Sequence, residues 1–392
     1  MKYDFDTIIS RRGTNSYKWD SLPADKDILP LWVADMDFRT APAITEALTR
    51  RVAHGIFGYV RVPDEYYTAV TRWFERRHHW AFRKEWMLYT SGVVPAVSAV
   101  IKALTQPGDS VVVQTPVYNC FFSSIRNNGC RVVTNPLIYE DGTYHIDFDD
   151  LEHKVKEPGV KLLLLCNPHN PAGRVWTREE LCRIGEICQR NNVTVLSDEI
   201  HCELVFSGHT YIPYASVSEE HSWNSVTCVS PSKSFNIAGL QIASIIARDE
   251  TVRQRIDRAI NINEVCDVNP FGVEATIAAY NEGEDWLLEL LDYLKGNYDY
   301  LCAFFRTHQP EIPVTKLEGT YLVWTDCRAL HLPSDTLQTR LLETTGLWLN
   351  SGTMYGAEGE GFLRWNIACP RSVLQDALSR FKAFVDALTT EG

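Results

Sequence analysis

The sequence predicts an α/β protein: a large domain on a mostly parallel, doubly covered sheet, with a smaller α+β domain at its C-terminal end. Three observations predict it. Short, almost purely apolar runs alternate with helical patterns through the middle of the chain, as strands covered on both faces do. The last third changes style, to three more strand patterns and one amphipathic helix. The 392 residues exceed what one core comfortably holds, so two domains are expected.

In chain order, an irregular N-terminal arm comes first. TAPAITEALTRRVAHG then reads as a helix starting near Pro42 and stopping at Gly55. DEYYTAVTRWFERRHHW reads as a second helix. SGVVPAVSAVIKALTQPG reads as a third, entered through Gly92 and closed by Pro107-Gly108. The runs SVVVQT, CRVVTNP, VKLLLLCNP, VTVLSDE, SVTCVS and ASIIAR are the expected strands. Between two of them, Thr177-x-x-Glu180 forms a capping box ahead of Leu181, Ile184 and Cys188 at helical spacing. GTYLVW, LWLNSG and GFLRWNIACP read as strands, and SVLQDALSRFKAFVDAL as an amphipathic helix. The expected division is an arm at 1–45 that joins the small domain, a large domain at 46–280 and the small domain at 281–392.

A net charge of −12 is a poor match to phosphate backbones, so no nucleic-acid partner is expected. The 11 cysteines are odd in number and scattered without a C-x-x-C pair, which points to reduced, buried thiols and a cytoplasmic setting. MKYDFDTIISRRGTN holds no apolar signal core, and no run approaches the ~18 apolar residues of a membrane span. His78-His79 is adjacent and not at helical metal-ligand spacing, so no metal is expected. Gly356–Gly361 precedes a strand, which argues against a dinucleotide loop.

Ligands of doubly wound sheets bind beyond the carboxyl ends of the strands. CNPHNPAGRVW there offers Asn167 and Asn170; SDEIH offers Asp198 and His201; SPSK offers Ser230, Ser232 and Lys233. QTPVYNC adds Tyr118. The helix entered through Gly92, Val93 and Val94 presents free N–H groups suited to an anion. A lysine, a carboxylate, an amide, a phosphate cradle and an aromatic in one crevice suit pyridoxal phosphate.

NPHNPAGRVW, SDEIH and SPSKSFNIAGLQ resemble fold-type I pyridoxal-phosphate enzymes of the class I/II aminotransferase group. The likeness runs from ADMDF to FLRWNIACPR. It implies a pyridoxal 5'-phosphate cofactor linked to Lys233, which then works as acid and base. It implies that Asp198 faces the pyridine nitrogen, that Asn170 binds the phenolic oxygen and lies beside the substrate, and that Tyr118 stacks on the ring. His201 stands where many relatives carry Tyr, and serves the same oxygen or simply packs. Ser230, Ser232 and the amides of Gly92, Val93 and Val94 hold the phosphate. Arg364, mid-strand in GFLRWN, grips the substrate carboxylate. Tyr59, in FGYV, is either a core aromatic or the residue that reaches the partner subunit's phosphate, which makes a homodimer with a shared site.

These groups select a small amino-acid substrate but not the reaction. Many aminotransferases place Arg eight residues after the lysine; this chain has Gln241. LPLWVADMDF, HGIFGY, SDEIHCELVF, SKSFNIAGLQ and FLRWNIACPR resemble the MalY/PatB branch of carbon–sulfur β-lyases. The resemblance implies cleavage of L-cystathionine or related cysteine S-conjugates to pyruvate, ammonia and a thiol. An aminotransferase for aromatic or aliphatic amino acids, and a regulatory protein retaining the cofactor, are the alternatives.

Overall fold

Seven strands make the central sheet: β1 (Met87–Thr90), β2 (Ser110–Val113), β3 (Arg131–Thr134), β4 (Val160–Cys166), β5 (Thr194–Asp198), β6 (Ser225–Val229) and β7 (Ala243–Ile246). The computed structural model describes residues 2–21, 27–262 and 267–391. Neighbours run β1-β7-β6-β5-β4-β2-β3. All pairs are parallel except those of β7, which is antiparallel to β1 and β6. Strands β2, β6 and β7 are buried along their whole length, which is why they read as continuous apolar runs. β3, at an edge, is half-exposed.

Register decides where the site forms. Cys166 pairs with Asp198, and Asp198 with Cys228, so the ends of β4, β5 and β6 stand level. The chain therefore leaves all three strands at one edge of the sheet. β2 and β4 are neighbours, and the connection from β2 runs to β3 on one side while that from β4 runs to β5 on the other, which makes the gap between their ends the switch point where ligands bind.

Helix α1 (Val93–Leu104) follows β1 through Gly92, whose φ of 145° is open only to glycine. Helix α2 (Cys120–Asn127) follows β2. Helix α3 (Arg178–Arg190) begins with the expected capping box: Glu180 N donates to Thr177 Oγ1 (3.2 Å), and Thr177 N donates to Glu180 Oε2 (2.8 Å).

Near the C-terminus, β8 (Leu322–Asp326), β9 (Asn350–Ser351) and β10 (Phe362–Asn366) form an antiparallel sheet with β10 central. β8 begins partway into GTYLVW, and LWLNSG divides, Leu347–Trp348 pairing elsewhere. Its partner is Leu29–Pro30 of the N-terminal arm, in parallel. The arm is pinned beyond that point by a buried ionic knot. Lys18 Nζ donates to Asp37 Oδ2 (2.7 Å), and Arg11 bonds both Asp35 (2.6 Å) and Asp37 (2.9 Å). No described helix is long and apolar enough to cross a membrane.

Candidate active site

A cavity of about 580 Å³ opens at the level strand ends. Gly92, Val93, Val94, Tyr118, Asn170, Asp198, His201, Ser232, Lys233 and Arg364, all expected from the sequence, line it. Ser230 and Tyr59 do not. The Ser230 hydroxyl donates to Ile242 O (2.6 Å) and accepts from Ser232 N (3.1 Å), so it ties the turn between β6 and β7 together. Tyr59 is 95% exposed at the surface of the single chain, which removes the core-aromatic alternative. Asn167 is also turned away, its amide donating to Ile212 O (3.0 Å) and Glu199 Oε1 (3.3 Å).

Asp198 ends β5, where an apolar strand delivers a carboxyl into a dry setting. Oδ1 accepts from Ile200 N (3.1 Å), and no described cation pairs with it. Burial pushes its pKa up to about 7; the Ile200 N–H pulls the other way, Glu199 adds to the rise, and Lys233 opposes it. Lys233 follows β6 and donates to Ala34 O (2.5 Å). Burial pushes its pKa down to about 8, Asp35 opposing and Arg364 assisting. A lysine that gives up its proton this easily is a serviceable nucleophile and base. His201, 3% exposed, is pushed to about 3 by burial and by the Lys233 and Arg364 cations, so its ring is neutral; its Nδ1 has no partner. Burial raises the Tyr118 phenol well above its ordinary range.

Arg364 sits mid-strand on β10, opposite Trp324 and Asn350. It is 4% exposed. Nη1 donates to Asn170 Oδ1 (3.2 Å), Nη2 to Trp32 O (2.7 Å), and Nε has no partner. The guanidinium lies 4.9 Å from the Tyr355 ring centre. No described carboxylate pairs with it, so a buried cation awaits an anion.

Several walls were not anticipated. Trp32, Val33 and Ala34 come from the arm, Asn350 and Tyr355 from β9 and the segment after it, and Cys120 from the start of α2. Asn350 Nδ2 donates to Trp32 O (2.8 Å) and to the Tyr355 hydroxyl (2.9 Å), which locks the arm to the small sheet. LPLWVADMDF was visible as a motif, but the arm bonds Lys233 and Arg364 through backbone carbonyls, which leave no mark in residue type. The site can take an anion at the start of α1, a flat group against Tyr118, a cation at Asp198 and a carboxylate at Arg364.

The profile of the family "Aminotransferase class I and II" matches residues 26–381. The chain is 46% identical to "Cystathionine beta-lyase PatB" of Bacillus subtilis, over 97% of this chain and 99% of that one. It is 36% identical to "Protein MalY" of Escherichia coli, over 96% and 97%. It is also similar to the crystal structure of cystalysin from Treponema denticola, which contains pyridoxal 5'-phosphate: TM-score 0.96, 35% identity, 99% and 100% of the two chains covered.

Proposed function

Because this chain belongs to the class I and II aminotransferase family, we propose that it is a pyridoxal-phosphate-dependent carbon–sulfur β-lyase. It cleaves L-cystathionine or related cysteine S-conjugates to pyruvate, ammonia and a thiol. One observation carries the reading: Arg364, buried without a counter-ion, shares a cavity with Lys233 and Asp198. That is a receptor for a carboxylate beside a base. Likeness to the Bacillus β-lyase, and Gln241 in place of arginine, support elimination over transamination.

The cavity fits the cofactor. Asp198 is a buried carboxyl lacking a cation, which a protonated ring nitrogen supplies. The N–H groups opening α1 and the Ser232 hydroxyl suit the phosphate. Tyr118 offers a flat face, and Asn170 and His201 offer polar groups at the ring's other edge. When bound, pyridoxal phosphate supplies an aldehyde for the amino group and an electron sink that acidifies the Cα–H bond.

The chain's residues do the rest. Arg364 holds the α-carboxylate with a planar fork. Asn170 orients that fork through its 3.2 Å hydrogen bond. Lys233 takes the Cα proton and returns a proton to the sulfur as the Cβ–S bond breaks. Asp198 keeps the ring nitrogen protonated. Water then converts the remaining three-carbon unit to pyruvate and ammonia.

The working unit is a homodimer. Ile56, Phe57 and Tyr59 are 67%, 58% and 95% exposed in one short segment, an apolar surface that a second subunit would cover. From there Tyr59 reaches the partner's phosphate. The ten described cysteines are free, which supports a reducing, cytoplasmic setting. The test is incubation with L-cystathionine alone. Pyruvate, ammonia and thiol in equal amounts are expected. Turnover only with an added keto acid, and no thiol from any cysteine thioether, would mean an aminotransferase.

A further inference from the structure

Of the ten described cysteines, seven are buried, and only Cys120, Cys182 and Cys302 are part-exposed. Cys120 alone of these three lines the cavity. It is the first residue of α2, two positions after Tyr118. A second thiol on the same wall makes the contrast. Cys166 is buried, donates to Pro168 O (3.3 Å) and accepts from Asn170 N (3.4 Å), so it is tied up. The Cys120 thiol lies against the Tyr118 hydroxyl and within electrostatic reach of Lys233 and Tyr355, the same two groups that the Arg364 cation acts on with the opposite sign. Reactive cysteines share such electropositive, part-exposed settings.

A thiol in a cavity is not by itself a site. The independent observation is Arg364, 4% exposed, with Nε unpartnered and no described carboxylate paired to its guanidinium. An anchor for a carboxylate and a nucleophilic sulfur therefore face one space. A thioether amino acid and a disulfide acid differ by one sulfur atom, so a cavity that admits the first admits the second.

We propose that Cys120 is a modification site, which captures carboxylate-bearing disulfides held by Arg364 and so plugs the substrate cavity. The proposal rests on the carboxylate-binding role given to Arg364 above. In the step, the Cys120 thiolate attacks one sulfur of the disulfide. That S–S bond breaks, a new S–S bond forms to Cys120, and the departing thiolate takes the electron pair and then the proton Cys120 gave up. The small-molecule disulfide is the oxidant, and no further co-reactant is needed. A thiol reverses the step, so the enzyme is switched by the disulfide content of its surroundings.

The test exposes holoenzyme to dithiodipropionate, which lacks an amino group and cannot be turned over, and in parallel to neutral bis-hydroxyethyl disulfide. Intact mass and peptide mapping follow the adduct. The expected result is an adduct on Cys120 that forms about tenfold faster from the dicarboxylate, equivalent to roughly 1.4 kcal/mol. Dithiothreitol removes it and restores the starting activity. Cys120→Ser leaves that peptide unlabelled, and Arg364→Gln brings the two reagents' rates together. No adduct on Cys120, adducts confined to other cysteines, or equal rates for the two reagents on the unmutated enzyme would overturn the proposal. Mass reports on Cys120 whether or not cystathionine is cleaved, so a failed lyase assay strikes the proposed function separately.

Discussion

The substitution Asp198→Asn should stabilise the cofactor-free protein at neutral pH while crippling the enzyme. Burial lifts this carboxyl from its ordinary 3.8 to about 7. Its folded pKa is raised, so the unfolded chain releases this proton first. Stability is therefore fully present below about 3.8, is lost as pH rises to about 7, and stays lost above it. At 1.36 kcal/mol per tenfold in the proton equilibrium, the loss is about 4 kcal/mol. A neutral amide at this position carries no such penalty. Denaturant unfolding of the two cofactor-free proteins, followed by tryptophan fluorescence at fixed protein concentration, should give equal stabilities near pH 4. By pH 8 the variant should be ahead by several kcal/mol. Adding cofactor should close the gap from the wild-type side, because the ring nitrogen supplies the missing cation. Parallel curves from pH 4 to 8 would refute the reasoning, since they would mean that the carboxyl is already compensated. Turnover should move the opposite way, falling by on the order of 10²–10³.

Arg364→Lys keeps the charge but loses the planar fork, so kcat/KM for cystathionine should fall roughly ten- to a hundredfold, and an unchanged value would make Arg364 structural. Capture of pyridoxal phosphate by cofactor-free protein, read as visible absorbance, should speed up as pH climbs through about 8, where Lys233 loses its proton, and should vanish in Lys233→Ala; a flat profile would contradict the desolvated lysine. Mixing Tyr59→Ala with Lys233→Ala protein should regenerate activity, since each hybrid dimer has one site free of both changes; no recovery despite proven subunit exchange would return Tyr59 to its own subunit.

Lys233 and Asp198 were legible in the sequence because each stands at the end of an apolar run, Lys233 alone and Asp198 beside Glu199, and parallel pairing forces such ends to one edge. Arg364 was legible because a guanidinium inside FLRWN needs a reason. Ser230 misled: its neighbours place it at the correct strand end, but its hydroxyl is used by Ile242 O, a partner fixed only when β7 folds back on β6. β1 went unanticipated because MLYT is half-buried at a sheet edge and lacks a pure apolar run. The helix at Glu284–His308 was missed too, although its 25 residues hold Leu287, Leu290, Leu294 and Leu301 in the core. Cys120 looked like one more scattered thiol until α2 placed it in the cavity.

The hydrogen bond between Arg364 and Trp32 joins residues 332 positions apart, and Leu29–Pro30 waits for Leu347–Trp348 in the same way. On a ribosome adding about 5–20 residues per second, the arm therefore emerges roughly 20–60 s before its partners exist. The central sheet, with Asp198 and Lys233, is already translated by then. Through that interval a nascent chain carries its base without its carboxylate receptor. A message cut short after β9 would encode Lys233 and Asp198 but not Arg364, and so no guanidinium to grip an amino acid. Synthesis itself thus orders the site, the reactive lysine first and the substrate clamp last.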